Sequence, residues 1–150
     1  MSGIATETTS TDHSLALVVD NESCLLQLMS RLLKRRDLRT ETATSIAEAR
    51  ALVGAGGPDR WKLFIIDLHL TDGDGADFCE WLREAGVPPS TPIVLCTGSV
   101  SPGLEEQVGK RGVTAVVRKP FQLDAFMRLI DDSVPSSHPG ELLSRSARAS

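Results

Sequence analysis

Four polar residues of complementary chemistry lie at or just beyond the ends of short apolar runs in this 150-residue chain. They are Asp20, Asp67, Thr97 and Lys119: two carboxylates, a hydroxyl and an amine. A carboxylate at the end of a buried strand is costly unless something binds it. The arrangement therefore predicts that these side chains share a ligand.

Two carboxylates brought to one gap repel each other, and burial strengthens the repulsion. A hard divalent cation resolves this conflict, and Mg²⁺ typically takes one or two carboxylates together with waters and phosphate oxygens. Acids, a hydroxyl and an amine around one cation are typical of phosphoryl transfer. In that chemistry Asp67 supplies the nucleophile, Mg²⁺ and Lys119 neutralise charge, and Thr97 binds an oxygen of the transferred group.

The elements that must position these residues can be predicted from the spacing of apolar residues. Short apolar and β-branched runs predict five strands, at 15–19, 38–43, 63–67, 92–96 and 113–117. Apolar residues at helical spacing predict five helices, at 22–36, from 45 to the GAGG stretch at 54–57, and at 78–86, 101–112 and 122–132. Ser45 with Glu48 forms a capping box for the second helix, and Ser101 with Pro102 marks the predicted start of the fourth.

Three of the five strands are unbroken apolar runs, which is typical of a parallel sheet with both faces covered. Strands that alternate with helices predict a doubly wound (flavodoxin-like) α/β domain with a five-stranded parallel sheet in the strand order 2-1-3-4-5. Ligands of such sheets bind beyond the carboxyl ends of the strands, where the strand order reverses. That point lies between strands one and three, which lead into Asp20 and Asp67.

Composition limits the class of protein. A net charge of −4 and a pI near 5.3 argue against nucleic acid or an anionic membrane surface as a partner. The chain has no apolar run of about 18 residues and no signal-peptide pattern at its start, so we expect a cytoplasmic protein without a membrane span. Cys24, Cys79 and Cys96 lack CxxC spacing and are expected to be buried, reduced thiols.

Four motifs occur in order, with 47, 30 and 22 residues between successive key positions. They are LVVDNESCLL with Asp20, IIDLHLTDGDG with Asp67, PIVLCTGS with Thr97 and VVRKPF with Lys119. With these motifs the chain resembles the CheY-like receiver domains of response regulators in bacterial two-component signalling. The resemblance covers residues 14–132, and the polar segments 1–13 and 133–150 are expected to be a flexible lead and a flexible tail.

The resemblance implies that Asp67 accepts a phosphoryl group from a phosphohistidine on a sensor histidine kinase or a phosphotransfer protein. It also implies a bound Mg²⁺ with Asp20, Asp67 and the backbone carbonyl of His69 as ligands. The peptide bond before Pro120 is implied to be cis, which aims Lys119 at the site.

Several positions depart from the family pattern. Asn21 stands where a second acid usually binds the metal; its amide oxygen can still coordinate Mg²⁺, but one charge is missing and weaker binding is expected. Glu22 either compensates for that charge or points elsewhere. Val116 replaces an aromatic switch residue that reports the state of Thr97, so signalling is expected to rest on backbone movement. His69 either tunes the lifetime of the phosphoryl group or is simply exposed.

Two further acids, Asp72 and Asp74, lie in the TDGDG stretch after the third strand. They resemble a fragment of a Ca²⁺-binding loop, but the twelfth position counted from Asp72 is Arg83 rather than Glu. A role in the turn is therefore predicted for both.

The sequence leaves three functions open. The first is a single-domain response regulator or phosphorelay shuttle that is phosphorylated on Asp67 and signals by binding an unknown downstream protein. Such a protein promotes only its own Mg²⁺-dependent phosphorylation and dephosphorylation, and Thr97 and Lys119 favour it. The second is a pseudo-receiver that binds partners without phosphate, which Asn21 and Val116 favour. The third is an unrelated hydrolase or phosphatase, for which no substrate pocket or lid is evident.

Overall fold

Residues 15–134 are described by the structure, which is a computed structural model of the chain. A parallel five-stranded sheet forms its centre, with the strand order β2-β1-β3-β4-β5. The strands are β1 (Leu15–Val19), β2 (Arg39–Ala43), β3 (Trp61–Asp67), β4 (Ile93–Thr97) and β5 (Ala115–Arg118). The predicted fold class and strand order are thus confirmed.

Helices cover both faces of the sheet. They are α1 (Ser23–Lys34), α2 (Ile46–Gly56), α3 (Gly75–Glu84), α4 (Leu104–Gly109) and α5 (Leu123–Ser133). Helices α1 and α5 pack on one face, and α2, α3 and α4 pack on the other. A 3₁₀ turn at Pro58–Arg60 and a short antiparallel ladder between His69–Leu70 and Gly73–Asp74 are the additional elements of the described residues.

Alternate side chains of the central strands point to opposite faces of the sheet and belong to two apolar layers, one on each face. In β1, Leu17 and Val19 belong to the layer under α2, α3 and α4, whereas Ala16 and Val18 belong to the layer under α1 and α5. All four residues are at most 1 % exposed. Close packing on both faces holds the strands in register, and it therefore fixes where the polar residues at the strand ends emerge.

The start of α2 follows the predicted capping box in part. The Ser45 hydroxyl accepts a hydrogen bond from the Glu48 amide at 3.2 Å, as predicted. The Glu48 carboxylate accepts the amide of Thr44 at 2.6 Å, one residue before the position that the box requires. The acid at the third helical position therefore still satisfies a backbone donor at this helix start.

The predicted start of α4 is wrong. The helix begins at Leu104, because Gly103 adopts a left-handed conformation with φ of 83° that an α-helix cannot contain. Ser101 and Pro102 lie before that break, in a turn in which the Ser101 carbonyl accepts the Leu104 amide at 3.1 Å. The helix has only six residues, half of the predicted length.

The prediction of three buried cysteines is wrong for Cys24, which is exposed in the first turn of α1. Cys79 and Cys96 are buried, and burial raises the pKa of both thiols to about 12. All three are free thiols. At neutral pH the two buried cysteines are therefore packing residues rather than nucleophiles.

The predicted flexible lead at 1–13 and nearly all of the predicted tail at 133–150 lie outside the described residues. Between Leu15 and Val134, none of the helices has the length and apolar character needed to cross a bilayer.

Candidate functional site

One edge of the sheet, where the carboxyl ends of four strands lie, brings the predicted site residues together. The Lys119 ammonium lies 2.6 Å from Oδ2 of Asp20 and 3.6 Å from Oδ1 of Asp67. Thr97 joins them through the backbone, since its carbonyl accepts the Lys119 amide at 2.7 Å. The peptide bond between Lys119 and Pro120 is cis. Two acids and an amine therefore meet at this edge, beside the backbone of Thr97.

Asp67 is a buried acid, with 6 % of its surface exposed. Burial is the main cause that raises the pKa of its carboxyl, and the charge of Asp20 adds to the rise. Lys119 and the His69 amide, which donates at 3.4 Å, offset part of it. Ionised Asp67 therefore costs folding free energy, and this cost appears as the pH rises through the raised pKa. A bound cation would recover it.

Lys119 remains a cation in this setting. Burial lowers the pKa of its amine, but the hydrogen bond to Asp20 and the charges of Asp20, Asp67 and Glu22 outweigh burial, so the pKa is raised. Asp20 is bonded at both oxygens, because its Oδ1 accepts the Glu22 amide at 2.9 Å. Oδ2 of Asp67, in contrast, accepts no hydrogen bond from residues 15–134 and is the open acceptor of the edge.

The donors at this edge fit a hard divalent cation. Asp20 and Asp67 are buried carboxylates on neighbouring strands, and oxygen ligands of this kind suit Mg²⁺. In the described part of the chain no three side chains of His, Cys, Asp or Glu form a metal-binding group. Such a site would therefore combine the two carboxylates with water and backbone oxygen, for which the carbonyl of His69 remains the predicted donor.

The two residues that follow Asp20 are placed differently from each other. Asn21 is exposed and brings no charge to the edge. Glu22 immediately precedes α1, and its carboxylate lies 3.6 Å from the Lys119 amine while its side chain stays 67 % exposed. The Glu22 side chain therefore points towards this edge, and its compensation for the missing charge stays a prediction.

A family model described as the response regulator receiver domain matches residues 16–131, more than three quarters of the chain. The chain belongs to this family. The photosynthetic apparatus regulatory protein RegA of Cereibacter sphaeroides is 37 % identical to this receiver domain over 109 residues, 73 % of this chain and 56 % of RegA. The acid tolerance regulatory protein ActR of Rhizobium meliloti is 32 % identical over 116 residues, 77 % of this chain and 57 % of ActR. The chain thus spans little more than half the length of these relatives.

Solved structures of receiver domains share this fold. The chemotaxis protein CheY4 of Vibrio cholerae is 26 % identical to this chain and superposes with a TM-score of 0.71. The superposition covers 81 % of this chain and 98 % of CheY4. The non-phosphorylated HemR receiver domain from Leptospira biflexa is 24 % identical and superposes with a TM-score of 0.73. The superposition covers 83 % of this chain and 97 % of that domain. The sheet and its helices therefore account for nearly the whole of each of these domains.

In this receiver domain the predicted switch residue Thr97 is fully buried, and Ser99 engages its hydroxyl on both sides. The hydroxyl donates to the Ser99 carbonyl and accepts from the Ser99 amide, each at 3.1 Å. Val116 on β5 is half-buried and packs against the apolar layer under α2, α3 and α4. A change in the bonding of Thr97 therefore reaches the β4–α4 loop (residues 98–103) directly, through Ser99.

The turn role predicted for Asp72 and Asp74 has a more specific form than the sequence suggested. Asp74 caps α3 by accepting the Ala76 amide at 2.6 Å. Asp72 accepts the amides of Ile46 and Ala47 at 2.9 and 3.0 Å, and so caps α2 from 26 residues away. Sequence reasoning missed this contact because capping motifs are local patterns, and a cap supplied by a distant loop leaves no such pattern.

Proposed function

We propose that this receiver domain accepts a phosphoryl group on Asp67 and passes the signal on by binding another protein. The donor is a phosphohistidine on a sensor histidine kinase or a phosphotransfer protein in the cytoplasm. The observation that carries the proposal is a buried Asp67 carboxylate, whose Oδ1 lies 3.6 Å from the Lys119 amine and whose Oδ2 is open. The chain promotes its own phosphorylation and dephosphorylation and acts on no other substrate.

The transfer forms a bond between an Asp67 oxygen and phosphorus and breaks the bond between phosphorus and the histidine nitrogen. The nitrogen keeps the bonding electron pair. Lys119 lies where it can neutralise charge on the phosphoryl oxygens, and its raised pKa keeps it protonated. Mg²⁺, held by Asp20, Asp67 and the His69 carbonyl, would supply further charge neutralisation when bound.

Phosphorylation would compete with Ser99 for the Thr97 hydroxyl. A phosphoryl group carries a charge of about −2 and strong acceptor oxygens. Charge-assisted hydrogen bonds from Thr97 and Lys119 contribute roughly 1.5–3 kcal/mol each, about 3–6 kcal/mol together. A shift of an equilibrium from 1:99 to 99:1 needs about 5.5 kcal/mol, so two such bonds nearly suffice if they form only in the active state. Because Thr97 must then release Ser99, the β4–α4 loop is the segment that responds.

The proposed output surface consists of α4, β5 and α5, since α4 follows the responding loop directly. Among residues 15–134, the large apolar side chains that stand out as exposed are Val100 in this loop, at 38 %, and Leu123 at the start of α5, at 43 %. These two side chains are available for contact with a downstream protein. A response regulator or phosphorelay shuttle that acts through this domain is the role that we propose.

Incubation with Mg²⁺ and acetyl phosphate, followed by an intact-mass measurement, tests the proposal. The expected result is a gain of one phosphoryl group that is lost in Asp67→Asn. Asp59→Asn is the matched control, because it removes an exposed acid from the opposite edge of the sheet and should leave the gain unchanged. If the wild-type mass does not change at saturating Mg²⁺, phosphorylation of Asp67 is not the function of this domain.

That second outcome would favour a pseudo-receiver, which binds its partner without phosphate. The neutral, exposed Asn21 is the observation that supports this alternative, because it leaves the edge with one acid fewer than the family pattern. A pseudo-receiver predicts that neither wild type nor Asp67→Asn gains mass on treatment with the phosphodonor. The two functions are therefore separated by a single comparison.

A further inference from the structure

Three carboxylates surround the Lys119 ammonium at the edge of the sheet. Asp20 lies 2.6 Å away, and both Glu22 and Asp67 lie 3.6 Å away. Three negative charges and one positive charge leave this cluster with a formal charge of −2. A divalent cation would neutralise that charge, whereas without Glu22 the cluster would carry only −1.

The direction of the Glu22 side chain is not explained by its position before α1. Glu22 is the N-cap residue of this helix, and its backbone carbonyl accepts the Leu26 amide at 3.1 Å. Its carboxylate makes no capping hydrogen bond to α1 and lies instead beside Lys119. The backbone amide of Glu22 donates to Oδ1 of Asp20, and this bond holds the backbone of Glu22 at the edge of the sheet.

An open acceptor on a second strand marks where a cation would sit. Asp67 is more than nine-tenths buried, and its Oδ2 accepts no hydrogen bond from the described residues. Lys119 lies closer to Asp20 than to Asp67, so the Asp67 carboxylate can take a further positive partner at its Oδ2. The adjacent Asn21 brings no charge.

We propose that Glu22 supplies the negative charge that Asn21 lacks, as a third anionic group near the divalent cation that Asp20 and Asp67 would bind, and not as a direct ligand. This inference rests on the proposed function, because it assigns a residue to the same cation site. The 67 % exposure of the Glu22 side chain leaves it free to turn from Lys119 to the cation. Its contribution is electrostatic and partly screened, so it should weaken as the ionic strength rises.

Titration of the full chain with Mn²⁺ alone, followed by calorimetry or by the electron paramagnetic resonance of free Mn²⁺, tests the inference without any phosphodonor. Glu22→Gln is expected to weaken Mn²⁺ binding about three- to tenfold at low salt, the scale of one partly exposed charge next to a divalent ion. Glu22→Asp should restore part of the loss. Glu84→Gln removes an exposed acid at the end of α3 and is expected to change nothing.

A second pair of variants shows whether Glu22 and position 21 share one role. Asn21→Asp should tighten Mn²⁺ binding, and Glu22→Gln should cost less in that background than in the wild type. If Glu22→Gln behaves like Glu84→Gln in both backgrounds, the inference is overturned. Circular dichroism of each variant confirms that the fold is retained.

The same titration separates this inference from the proposed function. Loss of Mn²⁺ binding in Asp67→Asn, together with an indifferent Glu22→Gln, overturns the role of Glu22 and leaves the cation site standing. Mn²⁺ binding that is absent in the wild type, or unchanged in Asp67→Asn, overturns both.

Discussion

The β3–α3 loop (residues 68–74) and the β4–α4 loop leave the same edge of the sheet, yet they are held in opposite ways. The first follows Asp67 and is tied to two helices. The second follows Thr97 and is tied mainly to Thr97 itself. The two residues that would contact one phosphoryl group, Asp67 and Thr97, are therefore followed by loops that differ in how firmly they are held.

Bonds to α2 and α3 hold the β3–α3 loop on both sides. The Gly75 amide donates to the Leu68 carbonyl at 2.7 Å, and a short ladder pairs His69 with Asp74 across the turn. Asp72 binds the first turn of α2. This loop cannot move without breaking contacts to both helices.

The β4–α4 loop has few bonds, and its six residues are all exposed. Ser99 is held by Thr97, while α4 starts after the left-handed Gly103 without a side-chain cap. Exposed backbone with few partners opens at low free-energy cost. The start of α4 is therefore the loosely held end of that helix.

The far end of α4 is held more firmly. The Arg83 guanidinium on α3 donates to the Gly112 carbonyl at 3.0 and 2.7 Å, and Arg111 pairs with Asp77 and Glu80. Because α4 has few bonds at its start and several near its end, its first turn can move while its last turn stays packed on the sheet. The loop after Asp67 is thus bonded to two helices, whereas the loop after Thr97 is bonded mainly to Thr97.

Gly75→Ala is expected to have the largest effect, because it disturbs the firmly held β3–α3 loop. A Cβ at this position would lie 2.0 Å from the Asp67 carbonyl oxygen and 3.0 Å from the Leu68 Cα. Because both are backbone atoms, the β3–α3 loop would have to shift, at a cost of about 3 kcal/mol in the free energy of unfolding. Urea unfolding measures this value.

Gly54→Ala in α2 is the matched control, since a Cβ there meets nothing within 4 Å. It should stabilise the domain by about 0.5–1 kcal/mol through helix propensity alone. Equal effects of the two alanines would show that the β3–α3 loop is not tightly packed.

Gly103→Ala probes the looser loop and should cost less. No atom lies within 4 Å of the added Cβ, so the cost comes only from a left-handed φ of 83° and is about 1–2 kcal/mol. Gly109→Ala at the end of α4 has open space and no such φ, and it should stabilise instead. Thermal unfolding compares the two; a neutral Gly103→Ala would mean that the loop simply rearranges.

Thr97→Val should loosen the β4–α4 loop and leave the β3–α3 loop unchanged. Valine keeps the buried shape but removes both hydrogen bonds to Ser99, at a net cost of about 1 kcal/mol because water can replace them at an exposed residue. Hydrogen exchange should quicken across residues 98–103 and stay unchanged across 68–74. Equal changes in both loops would show that the bonds between Thr97 and Ser99 do not act on the β4–α4 loop alone.

The sheet and its polar edge could be predicted because their signals are local and strong. Unbroken apolar runs require burial on both faces, and the strand order places Asp20 and Asp67 on neighbouring strands. The meeting of Lys119 with both acids follows from the same topology.

What sequence reasoning missed depends on contacts between distant segments or on backbone conformation. The start of α4 was misplaced because Pro102 suits a first helical turn, whereas the left-handed Gly103 decides against it. The direction of Glu22 depends on Lys119, almost a hundred residues away. The partner of Asp72 was missed for the same reason.

Asp72→Ala has the smallest expected effect on global stability and the most local one. It removes the acceptor of the Ile46 and Ala47 amides, so these amides should exchange several-fold faster and the β3–α3 loop should come to resemble the β4–α4 loop. Asp72→Asn, which keeps an amide oxygen, should retain part of the protection.

The pH dependence of this variant follows from the lowered pKa of Asp72. Hydrogen bonds from the Ile46 amide and then the Ala47 amide hold this pKa below its ordinary value of 3.8. The stabilisation that they provide is therefore complete above that value and is lost as the pH falls through the lowered pKa. Melting temperatures of wild type and Asp72→Ala should differ by a constant amount at neutral and mildly acidic pH, and they should converge below about pH 3.8. A difference that persists in strong acid would mean that Asp72 holds α2 through packing rather than through its charge.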